Sequence, residues 1–188
     1  KFNEGSGTTA DDSIGNFDGT LQGSAAWDVD RFGNPGSAVV TGSNAWVDIP
    51  DTLKSPVATF AAWVYVTGYD SSAAPIFSSE QGTGASNFSY RLQVTSAGHL
   101  RMESIAPYSS TGSRSATSSQ ALELDTWYHV AGTYDGNTVA CYINGSLADS
   151  NYYGTYQEMN TSENIRTAIG HLEGWSVQWF RGSIDDAA

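Results

Sequence analysis

The chain has 188 residues, with 20 acidic against 8 basic side chains and a formal charge of -12. A field of that sign repels nucleic acid and anionic membranes, so both are excluded as partners. No run approaches the ~20 apolar residues of a membrane helix, and a chain this long buries roughly 70% of its unfolded surface, enough for a core without disulfides.

Twenty Gly, six Trp, ten Tyr and seven Phe, with only 15% charged residues, favour short strands joined by tight turns. The expected class is all-β, an antiparallel β-sandwich over residues 1–188 as a single domain. The opening Lys1-Phe2-Asn3-Glu4 reads as a cut within a longer reading frame. The one cysteine, Cys141, sits in a strand-like run and is expected to be a buried free thiol.

Residues 1–26 hold Gly, Ser, Asp and Asn at turn density around one short strand candidate, Thr20 to Gln22, and form a first strand and a long loop. Ala38 to Ile49 reads as a hairpin across Gly42-Ser43-Asn44. In Thr59 to Val66 the alternation places Phe60, Ala62, Val64 and Val66 on one face and Ala61, Trp63 and Tyr65 on the other, which predicts a central strand. Tyr90 to Ser104 forms a hairpin with Leu92, Val94, Leu100 and Met102 toward the core, and Arg91, Gln93, Arg101 and Glu103 toward water. Residues 109–119, rich in Ser and Thr, read as a surface loop. Trp127 to Tyr134 and Val139 to Gly145 form a second hairpin across Asp135-Gly136-Asn137. A Tyr, Asn and Ser rich stretch then leads to strands at Arg166 to Gly170 and Gln178 to Ile184.

Two constellations carry chemistry. The loop Asp11 to Gly19 supplies the hard oxygens that calcium requires, although Asp and Asn here also fit simple Asx-turns. A sugar site needs an aromatic plane and a few charged or amide groups for the hydroxyls. Arg91, Gln93, Arg101 and Glu103 suit the second task; Tyr65, Tyr108, Tyr142, Trp175 and Trp179 are available for the first, with Trp175 the aromatic expected to be exposed. If Arg91 and Arg101 lie side by side, they form a local fork for an anionic sugar. The three histidines lack the spacing of a soft-metal site.

In order, Phe2 to Gly7, Asp12 to Asn16, Gly19-Thr20-Leu21, Arg31-Phe32-Gly33, Trp46 to Pro50, Phe60 to Val64, Trp127 to Gly136, Tyr142 to Gly145 and Gly182 to Asp186 form a succession that resembles the laminin G-like domains of the concanavalin A-like lectin/glucanase superfamily. The resemblance implies a jelly roll of two curved sheets, with ligands on the concave face or rim loops. It implies a structural calcium on Asp12, Asn16 and Asp185, with Asp18 or Asp186 as substitutes, and it assigns Trp63 and Trp127 to packing. It further implies a secreted or cell-surface bacterial setting with linked neighbouring domains.

The same superfamily includes glycoside hydrolases with acids at alternate positions on one strand. Glu123 and Asp125 are the nearest match, two carboxylates two apart, but a Tyr stands where the third acid belongs, so an acidic turn is expected instead. The resulting expectation is a noncatalytic carbohydrate-binding module that uses Tyr65, Arg91, Arg101, Glu103, Tyr142 and Trp175 for a polysaccharide, with metal ligands Asp12, Asn16, Asp18 and Asp185. A laminin G-type protein-binding adhesion domain is the alternative, and a hydrolase or lyase fragment the third reading.

Overall fold

The computed structural model describes residues 1–15, 17–49, 55–80, 88–105, 113–159, 161, 166–172 and 178–188. Within these, the strands are β1 (Thr9–Ala10), β2 (Gly19–Gly23), β3 (Ala26–Asp28), β4 (Ala38–Thr41), β5 (Ala45–Ile49), β6 (Ala58–Gly68), β7 (Ala74–Glu80), β8 (Phe88–Val94), β9 (His99–Ser104), β10 (Arg114–Ala121), β11 (Trp127–Tyr134), β12 (Thr138–Ile143), β13 (Ser146–Tyr152), β14 (Arg166–Ile169) and β15 (Arg181–Asp185). They form two antiparallel sheets packed face to face. The eight-stranded sheet runs β1-β2-β5-β14-β7-β8-β9-β10 and the seven-stranded sheet β13-β12-β11-β6-β15-β4-β3. No helix occurs among the described residues.

Alternation dictates the core. From β6, Phe60, Ala62, Val64 and Val66 point inward against Leu92, Val94, Leu100 and Met102 of β8 and β9, all essentially fully buried. Tyr90 joins them, its ring stacked on Phe60 with centroids 4.0 Å apart. The Tyr90 hydroxyl lies 3.4 Å from Thr167 Oγ1. Burial pushes the phenol up to about 12, because the charged phenolate has no solvent there. The raised value means that Tyr90 favours the folded state fully below the unfolded phenol value of ~10 and that this contribution fades as pH rises toward 12. We expect alkaline unfolding in that window, with Tyr90→Phe flattening the pH dependence of the denaturation midpoint. An unchanged slope in Tyr90→Phe would show that another group governs it.

Several sequence expectations are met. The hairpins β8–β9 and β11–β12 form where expected, with Leu92 opposite Met102 and Val130 opposite Ile143. The long strand β6 is central, between β11 and β15. Cys141 is a buried free thiol.

Others are corrected. The stretch from Ala38 to Ile49 is no hairpin: β4 belongs to the seven-stranded sheet and β5 to the eight-stranded one, joined at a corner by the Gly42 to Ala45 bridge. Alternation specifies which residues face the core, and Val39 and Val47 do so equally well from opposite sheets. The Ser and Thr rich segment runs into β10, whose Ala116 is buried opposite Met102. The polar stretch after Gly145 begins as β13, returned onto β12 by Asn144 and Gly145, both at positive φ (51° and 77°), the geometry a tight hairpin turn needs. β7 and the short strands β1 and β3 carried no usable signal.

The edges of the sandwich are sealed by side chains. Across β10 and β13, the Thr117 amide donates to Asp149 Oδ2 at 2.8 Å and Asn151 Nδ2 donates to the Ser115 carbonyl at 2.8 Å. At the opposite edge, Trp27 Nε1 donates to the Gly7 carbonyl at 2.9 Å. Unpaired strand edges otherwise invite association with other chains.

Candidate carbohydrate-binding face

The outward residues of the eight-stranded sheet line up across the strands. The register places Thr20 opposite Asp48, Asp48 opposite Ala168, Ala168 opposite Ser78, Ser78 opposite Arg91, Arg91 opposite Glu103 and Glu103 opposite Ser115. Ordinary outward residues of a sheet are wet. Here Ser78 is 1% exposed, Gln93 3% and Glu103 7%, so the middle of this face is recessed. The expectation of a fully wet face on the 90 to 104 hairpin is corrected to that extent.

At the β5 and β14 end the recess opens into a cavity of about 250 Å³ lined by Gln22, Trp46, Asp48, Arg166, Ala168 and His171. Period two puts Trp46 and Asp48 of β5 on the same outward face. The His171 ring stacks on Trp179 with centroids 3.9 Å apart and planes 13° from parallel. Trp46 lies tilted against both, at 5.3 Å from His171 and 5.7 Å from Trp179. His171 is anchored from behind, where Ser78 Oγ donates to its carbonyl at 2.6 Å. Burial pushes its imidazole down from the usual value, so it stacks in the neutral form at pH 7. Both tryptophans are half-buried, held by packing yet presenting part of their rings.

At the β8 and β9 end, Glu103 is the hub. Its Oε1 accepts from Arg101 at 2.9 Å and from Ser113 Oγ at 2.6 Å; Oε2 accepts from Gln93 Nε2 at 3.3 Å and lies 3.9 Å from Arg91. The two guanidiniums thus converge on a protein carboxylate. The conditional fork for an anionic sugar is therefore turned onto Glu103.

The six expected sugar residues do not form one site. Arg91, Arg101 and Glu103 share this face, whereas Tyr65 and Tyr142 stand on the outer face of the seven-stranded sheet, on β6 and β12. Trp175, Tyr108 and Asn16 lie outside the described residues. On the seven-stranded face, Tyr65 packs on Trp127 at 5.5 Å and Trp63 on His129 at 5.4 Å. Trp63 and Trp127 are packing residues, but of an outer surface and not of the inter-sheet core. Trp46, Asp48, Gln22, Arg166 and His171 line the candidate face without being singled out by the sequence. The i, i+2 spacing of Trp46 and Asp48 in Trp46-Val47-Asp48-Ile49 was the available signal.

The expected metal set is also divided. The Asp185 carboxylate takes Arg31 at 2.5 Å, with Asp186 taking the same guanidinium at 3.0 Å, and Arg31 lies 4.6 Å above the Trp63 ring. Burial first, then the neighbouring Asp186, pushes the Asp185 carboxyl up, and Arg31 opposes both. Asp12 and Asp18 stay in the loop between β1 and β2, where Asp18 Oδ1 accepts from the Asp12 amide at 2.9 Å and Asp12 Oδ1 from the Ile14 amide at 3.1 Å. The Ile14 amide holds the Asp12 carboxyl below the usual carboxylate range. Among the described residues no three acids, histidines or cysteines are grouped as a metal site, and Asp185 is committed to Arg31. The first loop and the chain end do meet, through an apolar recess of about 240 Å³ lined by Phe2, Asp12, Ile14, Phe77, Ile169 and Ala187 among others.

Glu123 and Asp125 are exposed in the turn before β11, with Asp125 at φ 57°, and do not share a strand face.

A family model described as the concanavalin A-like lectin/glucanases superfamily matches residues 41–188. The chain belongs to that superfamily. Among solved structures of similar fold is domain 4 of AbnA, a GH43 extracellular arabinanase from Geobacillus stearothermophilus, in complex with arabinotriose: 22% identity, TM-score 0.71, covering 95% of this chain and 84% of that one. The CBM40 of the Ruminococcus gnavus IT-sialidase, bound to alpha2,3 sialyllactose, aligns at 18% identity and TM-score 0.59 over 69% of this chain and 73% of that one. Trypanosoma rangeli sialidase in complex with the inhibitor DANA aligns at 17% identity and TM-score 0.62, over 97% of this chain but 28% of the enzyme. No curated protein matches the chain. At these identities the likeness establishes the shared jelly-roll architecture of this superfamily member and leaves its ligand to its own residues.

Proposed function

We propose that this superfamily member is a noncatalytic carbohydrate-binding module that takes a polysaccharide on the recessed face of its eight-stranded sheet. The carrying observation is the cluster of Trp46, His171 and Trp179 beside Gln22, Asp48 and Arg166 at one cavity. An aromatic plane takes the CH-rich face of a sugar ring, and the amide, carboxylate and guanidinium orient its hydroxyls. Binding of arabinotriose and sialyllactose by domains of this fold supports the reading, and the extracellular arabinanase supports a secreted setting.

Geometry argues against hydrolysis on this face. Among the described side chains of this face, the acids Asp48 and Glu103 lie four strand steps apart, about 19 Å at ~4.8 Å per step, whereas paired glycosidase carboxylates stand roughly 5–9.5 Å apart. Retention of the isolated domain on affinity gels cast with neutral polysaccharides tests the proposal. Uniform absence of retardation, together with capture by a protein ligand, would move the reading to the adhesion domain. Release of reducing ends would move it to an enzyme.

The calcium enters this proposal in reduced form. Loop 11–18, with Asp12 and Asp18, supplies hard oxygens by itself, and Asp185 is not among them. Excess chelator is expected to lower the thermal midpoint, and an unchanged midpoint removes the ion from the reading.

A further inference from the structure

The far end of the recessed face holds polar atoms that the protein leaves unused. Gln93 Oε1 and Arg101 Nε are buried without a hydrogen-bond partner among the described residues, although Gln93 Nε2 and an Arg101 terminal nitrogen are both spent on Glu103. Such atoms are rare in folded proteins and costly to leave unmade. One is an acceptor and the other a donor, and they stand on directly paired positions of β8 and β9. A sugar hydroxyl both donates and accepts, the two capacities that these atoms lack. A carboxylate or sulfate accepts only: it would serve Arg101 and meet Gln93 Oε1 and the Glu103 carboxylate as further acceptors.

This polar end and the aromatic end lie on one continuous face. From β5, which carries Trp46, the sheet order passes through β14, β7 and β8 to β9, a span of about 19 Å at ~4.8 Å per step. That is too long for one sugar ring. The outward positions flanking it, Thr20 on β2 and Thr117 on β10, are small, exposed hydroxyl residues that form no end wall. Charge of both signs stands on the face: Arg91, Arg101 and Arg166 share it with Asp48 and Glu103. The chain as a whole carries -12.

We propose that the face binds an internal stretch of a neutral, linear glycan laid across the strands, from the platform of Trp46 and Trp179 to a second subsite at Gln93 and Arg101. This rests on the reading of the face as a sugar site and adds to it a direction, a length and a ligand charge. Recognition of a chain end or of a lone anionic sugar would need a closed pocket or an uncommitted cation, and the described residues of this face offer neither.

The test uses the intact domain and neutral oligosaccharides of increasing length prepared from whichever polysaccharide retards it on gels. Affinity is expected to rise at least about tenfold between the disaccharide and the tetra- to hexasaccharide and then level off. Reduction of the hexasaccharide to its alditol should leave affinity unchanged. Arg101→Ala is expected to weaken the hexasaccharide about tenfold while sparing the disaccharide, and Gln93→Leu to act in the same direction. A disaccharide that binds as tightly as the hexasaccharide, loss of binding on end reduction, or tighter binding of a sulfated or uronic chain that salt abolishes would each overturn the inference while leaving the sugar site standing. The length series needs no substitution, so a variant that fails to fold does not decide the matter. Failure of every polysaccharide to bind would overturn the sugar site and this inference together.

Discussion

Replacing Trp46 by alanine is expected to weaken polysaccharide binding about thirtyfold, the equivalent of roughly 2 kcal/mol for a buried aromatic anchor. Trp46 faces outward on β5, half-buried, and closes the aromatic cluster with His171 and Trp179. Its loss removes a stacking plane and loosens the pair that remains. The inter-sheet core does not depend on it, because Val47, one residue on, supplies the inward side chain of β5. Far-ultraviolet dichroism and the thermal midpoint should therefore change little while the gel shift disappears. Tyr142→Ala is the informative control. Tyr142 lies on the opposite sheet, and its removal should leave binding intact. Unchanged affinity in Trp46→Ala would remove the aromatic anchor from the reading, and a loss confined to Tyr142→Ala would place the ligand on the seven-stranded face.

Gly182→Ala is expected to cost roughly 4 kcal/mol of stability, in the range reserved for severe backbone conflicts, and to lower the thermal midpoint by about 10 °C. Gly182 sits on β15 between β4 and β6 at φ +147°, a region that L side chains avoid. A Cβ there would stand 1.8 Å from the Tyr65 carbonyl oxygen, a backbone atom of the central strand that cannot step aside. Gly145→Ala separates strain from collision. It has φ +77° but nothing within 4 Å of the added carbon, so only the left-handed penalty of about 1–2 kcal/mol applies. Equal midpoints for the two variants would mean that β15 relaxes away from β6. That would also relieve the packing that holds Asp185 opposite Trp63.

The proposed binding face was legible in part. Arg91, Gln93, Arg101 and Glu103 were read onto one face because a hairpin with period-two alternation fixes sides without knowledge of anything else. The same rule could have exposed Trp46 and Asp48, but tryptophan on a strand serves cores and surfaces alike. Tyr65 and Tyr142 were grouped with the arginines on chemistry alone, and alternation is silent on which sheet a strand joins. Asp185 was assigned to a metal from its place in a motif, while its partner, Arg31, comes from the loop after β3 and lies over 150 positions away.

What the sequence determined by itself is the all-β class, the two central hairpins, the inward face of β6 and the superfamily, each of which depends on local alternation or on an ordered run of motifs. Only the tertiary structure decided that β4 and β5 turn a corner between sheets, that Ser and Thr rich residues form β10, and that one outer face is recessed. Those outcomes depend on which strands become neighbours. Neighbours are chosen by burial and edge pairing summed over distant segments, and no local window of sequence contains that sum.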